Sequence, residues 1–263
     1  MTGLNTEQQR AVEATEGPLL IIAGAGSGKT RVLTHRTAYL ILAKGVPSHN
    51  ILAVTFTNKA ADEMKERLER LLGPSGSRIW VSTFHSACVM ILRKHIGKLC
   101  YGNNFVIYDD DDQMKLIKKV LKDLDMGEKA IKPQTLQARI DEAKNDLVDA
   151  ETFSMDASDF FTERVARGYL AYEREKKKNN AVDFGDLIML TVRLFSEHPD
   201  ILQKYQDLFR YIMVDEYQDT NYAQYRLVAM LSSRYRNICC VGDDDQSIYR
   251  FRGADIRNIL DFE

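Results

Sequence analysis

The chain has 263 residues, 44% of them hydrophobic, which is enough for one large domain or two modest ones around a sizeable core. A formal net charge of -2 and a pI near 6.2 exclude a global basic coat, so any nucleic acid must meet a local patch. No signal-like leader opens the sequence and no apolar run approaches the roughly 18 residues that span a bilayer; the expectation is a soluble, cytoplasmic protein with no membrane partner.

In chain order, the first predicted element is a buried strand, Leu19–Ile22. It breaks into Ala23-Gly24-Ala25-Gly26-Ser27-Gly28-Lys29-Thr30 and continues from Arg31 as a helix. A strand, a glycine-rich loop ending in Gly-Lys-Thr and a helix form a phosphate cradle. The glycines let backbone N–H groups turn inward, Lys29 supplies a point charge for the β/γ-phosphates, and the Thr30 hydroxyl can ligate Mg²⁺. A merely flexible Gly/Ser loop would need neither the strand before it nor the helix after it. Further apolar runs at 51–54, 79–81, 211–214 and 238–241 read as buried parallel strands. Helical spacing separates them, with Ala61, Met64, Leu68 and Leu71 on one stripe and Phe84, Ala87, Cys88 and Ile91 on another. Strands alternating with helices predict a doubly wound α/β sheet. Polar clusters follow every strand, at 24–30, 55–59, 82–85, 215–219 and 242–246. Together they predict one working edge at the carboxyl ends of the strands, where open α/β sheets bind ligands.

The stretch 82–210 is too long for one crossover and carries helical stripes. Met114, Ile117, Val120, Leu121 and Leu124 form one stripe, and Phe161, Val165, Tyr169 and Tyr172 another, so a helical domain inserted over 96–205 is expected, with the sheet domain at 1–95 and 206–263. Within it, Asp109 to Asp112 read as a turn and the acidic first turn of a helix, not a metal site. Lys176-Lys177-Lys178 reads as a solvated helix face. Cys88, Cys100, Cys239 and Cys240 have no metal-ligand spacing and read as buried free thiols.

Asp215-Glu216 ends the run 211–214, on a strand expected beside the one that carries the glycine loop. There Asp215 can hold Mg²⁺, and Glu216 can orient and deprotonate a water, which favours hydrolysis over transfer to another acceptor. Asn58-Lys59 resembles the start of a guanine-reading Asn-Lys-x-Asp motif, but the aspartate arrives one residue late, at Asp62. ATP is therefore the expected nucleotide.

Several segments appear in a telling order: Leu4-Asn5-Thr6-Glu7-Gln8 and the glycine loop, then Thr55-Phe56-Thr57-Asn58-Lys59-Ala60-Ala61 and Ser82-Thr83-Phe84-His85-Ser86. Asp215-Glu216-Tyr217-Gln218-Asp219 and the stretch from Gly242 to Ala254 complete the series. This order resembles the motifs of superfamily 1 DNA helicases of the UvrD/PcrA/Rep type. The resemblance implies a RecA-like P-loop NTPase sheet with an inserted helical domain, in a motor that uses ATP and Mg²⁺ to move 3′ to 5′ on single-stranded DNA and to open single-strand/duplex junctions. It further implies that Gln8 reads the adenine edge and Arg31 packs on the base. Ala23, Gly24, Ala25, Gly26, Ser27, Gly28, Lys29 and Thr30 would hold phosphate, with Thr30 and Asp215 on the metal and Glu216 on the hydrolytic water. Gln246 would sense the γ-phosphate with Arg252 beside it. Phe56, Tyr249 and Phe251 would stack on DNA bases, and Thr57, Asn58, Thr83 and His85 would line the track. Phe251 is tryptophan in many relatives, so its stacking surface is smaller.

Stacking suits a motor that slides, because every base offers a face; each stack is worth about 1–3 kcal/mol. The family motif also resembled by Asp183-Phe184-Gly185-Asp186-Leu187 carries no assigned role at this point. A helix is expected over 255–262, and the resemblance implies a second motor half beyond it as a partner, with arginines reaching the nucleotide. Two other readings share parts of this pattern: the helicase part of a helicase–nuclease, and a nucleotide-switched DNA-binding module without turnover.

Overall fold

A computed structural model describes residues 3–127 and 130–243. Helix α1 (Thr6–Glu13) starts at a reciprocal cap, in which the Asn5 side chain accepts from the Gln8 N–H and the Gln8 side chain accepts from the Asn5 N–H. Strand β1 (Leu19–Ile22) leads through the glycine loop into α2 (Lys29–Leu42). Strand β2 (Ile51–Thr55) leads into α3 (Asn58–Leu72), and β3 (Trp80–Thr83) into α4 (Phe84–His95). Then come β4 (Val106–Ile107), α5 (Asp110–Asp123), α6 (Pro133–Asn145), α7 (Ala150–Asp156), α8 (Phe160–Lys178), β5 (Ala181–Val182) and α9 (Phe184–Glu197). The chain continues through α10 (Pro199–Leu208), β6 (Tyr211–Val214), α11 (Tyr222–Ser232) and β7 (Ile238–Gly242).

Two compact units emerge, one running to Ala87 and resuming at Phe195, the other spanning Cys88–Leu194. The first is built on a five-stranded sheet in the order β1-β7-β6-β2-β3, with every pairing parallel. Side chains alternate across the pleat. Ile51, Ala53, Ile79, Val81, Met213, Cys239 and Val241 meet Leu33 and Leu40 of α2 and Ala61, Met64 and Leu68 of α3 in one core. Leu52, Val54, Ile212, Val214 and Cys240 point the other way and are buried as well, so both faces are covered. That is the α/β sheet the apolar runs predict. One expectation about it fails: β6 does not border β1, because β7 lies between them. Strand order is a tertiary property, and nothing in two equally apolar runs ranks them.

The second unit packs α5, α6 and α8 around Ile117, Val120, Leu136, Ile140, Val165, Tyr169 and Tyr172. A Cβ on Gly168 would come within 2.7 Å of the Leu136 side chain, so α6 and α8 approach closely there. Asp109 caps α5 by accepting from Asp112 N–H, which leaves Asp110 to Asp112 in the first turn as expected. The short parallel pair β4–β5 is an addition to the helical expectation; two residues per strand are too few to show a period.

Candidate nucleotide-binding site

Parallel pairing puts the carboxyl ends of all five strands on one edge, and the expected clusters leave from there. Gly26 and Gly28 have φ of +73° and +87°, the left-handed region that favours glycine. Nothing lies within 4 Å of a Cβ built on Gly24 or Gly26, so open space faces the loop. Gly28 is the N-cap of α2 and supplies no side-chain cap, which leaves the first-turn N–H groups available to an anion.

Lys29 is nearly buried, and its Nζ donates to the Ala23 carbonyl at 2.7 Å and to Asp243 Oδ2 at 2.9 Å. Thr30 Oγ1 donates to Asp215 Oδ2 at 3.0 Å. Those two hard oxygens come from α2 and the end of β6, and they fit Mg²⁺, which prefers one or two protein oxygens plus phosphate. When bound, the ion would neutralise charge developing on the phosphates. Burial, and then the adjacent Glu216 charge, push the Asp215 carboxyl up to about 6. Glu216 itself has φ +52° and ψ +46°, an uncommon conformation for a residue with a side chain.

The remaining expected ligands distribute as follows. Gln8 touches the loop, its Nε2 donating to the Ser27 carbonyl at 2.8 Å. The C-terminus of its helix is held by buried Arg36 of α2, whose Nη1 donates to Ala11 (2.8 Å) and Ala14 carbonyls. Exposed Arg31 lies against Gly3, its Nη2 2.6 Å from where a Cβ there would sit. Phe56 is half-buried, edge-on to Phe84 at 5.6 Å. Thr57 accepts from Ala60 N–H as the cap of α3, leaving Asn58 exposed in the first turn. Thr83 is buried and does the same for Ser86 N–H, with half-buried His85 beside it, its pKa lowered by burial. Since β2 and β3 pair with Thr55 opposite Thr83, these residues share one stretch of the edge. Gln246, Tyr249, Phe251 and Arg252, and the helix expected over 255–262, lie outside the described residues.

Two further expectations are corrected in the second unit and nearby. Lys176 is not part of a solvated face; it is fully buried, while Lys177 and Lys178 are exposed. Its Nζ pairs with Asp183 (2.9 Å), Asp186 and Glu173 (2.6 Å), and Lys144 pairs with the same three carboxylates at 2.6, 2.7 and 2.7 Å. The signal was present, because 176 continues the stripe 165, 169, 172 at helical spacing. Asp183-Phe184-Gly185-Asp186-Leu187 thus supplies two of the three carboxylates of a closed charge cluster. Of the cysteines, Cys88, Cys239 and Cys240 are buried thiols, but Cys100 is exposed.

An all-parallel α/β sheet with a glycine-rich anion cradle, a lysine and a threonine–aspartate pair at its carboxyl edge defines a P-loop nucleotide-binding domain. More narrowly, the chain belongs to the UvrD/REP helicase N-terminal domain family, whose sequence model matches residues 4–263. It is 54% identical over 263 residues to the ATP-dependent DNA helicase PcrA of Bacillus subtilis (strain 168), and 53% identical over 260 residues to that of Staphylococcus aureus (strain Mu50). The match to the PcrA of Staphylococcus epidermidis is 54% over 260 residues. These alignments cover 99–100% of this chain but 36% of the length of the curated relatives.

Proposed function

We propose that the chain is the ATP-binding N-terminal part of a 3′–5′ single-stranded-DNA translocase and helicase, working in the cytoplasm on single-strand/duplex junctions. The observation that carries this reading is the Thr30–Asp215 contact at 3.0 Å, made beside Lys29 and Glu216 in a chain that belongs to a helicase family. Lys29 holds the β/γ-phosphates, Thr30 and Asp215 hold Mg²⁺, Gln8 and Arg31 meet adenine, and Glu216 takes the proton of the attacking water. The edge bearing Phe56, Thr57, Asn58, Thr83 and His85 meets DNA, joined by Tyr249 and Phe251, while Gln246 and Arg252 link nucleotide state to DNA grip. The sheet domain and the helical insertion are proposed to function as motor core and accessory domain. The names of the relatives support the substrate classes.

The isolated chain is expected to bind Mg-ATP and turn it over slowly, since an arginine reaching the nucleotide from a partner domain is worth about 10³–10⁵ in rate. ATP turnover of the chain and of the intact gene product, each with and without single-stranded DNA, tests this. DNA-stimulated turnover confined to the intact product, with unwinding from 3′-tailed duplexes, is the expected result. Robust DNA-stimulated turnover by the chain alone, or unwinding only from 5′ tails, contradicts it.

A further inference from the structure

We infer that Gln218 is a positioning residue, which holds the Glu216 carboxylate for proton abstraction and ties it to the backbone at Asp243. The inference rests on the ATP-hydrolysing reading above and assigns a role inside it. Gln218 is 2% exposed, in the short turn after β6. Its Nε2 donates to Glu216 Oε2 at 2.7 Å, and its Oε1 accepts the Asp243 N–H at 3.0 Å. The Asp243 carboxylate in turn accepts from Lys29 Nζ at 2.9 Å. A continuous line of contacts thus joins Glu216 to Lys29 through one buried amide and one residue at the end of β7.

An amide meets the chemistry of this position. A carboxylate needs a donor and a backbone N–H needs an acceptor, and only an uncharged group presenting both satisfies the two at once. Leucine or methionine would leave the buried Asp243 N–H unmet and the half-buried Glu216 carboxylate without this donor. Glu216 also needs the support more than an ordinary surface glutamate does. Its left-handed backbone is uncommon and persists only where neighbours over-determine it. Asp215 Oδ1 contributes by accepting the Glu216 N–H at 3.1 Å, and Gln218 fixes the other end of the side chain.

Steady-state ATP turnover of the intact gene product tests this, with Mg-ATP binding measured in parallel. Gln218→Met is expected to lower kcat about 10²-fold with KM and binding unchanged, the signature of a misplaced reacting group. In a Glu216→Gln background the same change should cost nothing further, because the group it positions is already gone. If Gln218→Met does not fold, Gln218→Asn retains the amide, cannot span both partners, and should show the same split. A kcat within about twofold of wild type, a rise in KM alone, or a loss that adds to that of Glu216→Gln overturns the inference and leaves the site reading standing. A wild-type product that turns over no ATP overturns the reading itself.

Discussion

The two units each bury a lysine against carboxylates, and they do so to different ends. In the sheet unit Lys29 meets one carboxylate among the described residues, Asp243, and loop carbonyls, with open space above Gly24 and Gly26. In the helical unit Lys144 and Lys176 meet three carboxylates, and Tyr172 adds its hydroxyl to Asp183 at 2.8 Å. Glu173, Asp183 and Asp186 could pass for a metal site on spacing alone, but two ammonium groups already fill the place an ion would take. Burial opposes ionisation of Asp183, yet Lys144 and Lys176 outweigh it and hold its carboxyl well below the usual range. Burial pushes Asp215 the other way. A buried charge is therefore no sign of a ligand site by itself. A site shows charges whose partners can be exchanged, next to space for something to exchange with them.

The sharpest way to break the comparison is to remove one charge from the closed cluster. Lys144→Met should destabilise the helical unit by about 3–5 kcal/mol, the cost of stranding buried carboxylates. Unit-resolved hydrogen exchange would read the loss, together with unchanged protection of the sheet strands.

Acid separates the units next. Asp215 has a folded pKa of about 6, above its unfolded value near 3.9, so it binds more protons folded than unfolded between those limits. Its penalty is full above pH 6 and relieved as pH falls. Asp215→Asn should therefore stabilise the chain at pH 7 by roughly 1–3 kcal/mol, a gain that vanishes near pH 4. Asp183 has the opposite sign: its contribution is complete above its unfolded value near 3.9 and lost progressively below it. Denaturant titrations of both forms from pH 7 to 3 check the two directions. The smallest effect concerns the exchangeable pair. Asp243→Asn relieves Lys29 of its competing partner and should tighten Mg-ATP binding about tenfold, by the worth of a charged hydrogen bond. Affinity that is unchanged would mean the pair does not compete with phosphate.

Much of this was legible in the chain, for a physical reason. Lys29, Thr30 and Asp215 each follow an apolar strand that gives way to polar residues, and parallel strands deliver all such positions to one edge. Strand order was not legible, since β6 and β7 are equally apolar and only packing ranks them. Lys176 was misread because its neighbours Lys177 and Lys178 are solvated, although its spacing from Tyr172 and Tyr169 placed it on the buried stripe. Gln218 stands in the polar cluster 215–219, but its contact with Asp243 lies far along the sequence, and no local spacing reports it.

The central claim is that the edge around Lys29 and Asp215 is a Mg-ATP site. Calorimetric titration of the chain with ATP, with and without Mg²⁺, tests it against Lys29→Met. The account predicts saturable 1:1 binding that depends on Mg²⁺, prefers ATP to GTP and disappears in the variant. Binding that survives Lys29→Met, or no binding by the folded wild-type chain, would contradict it.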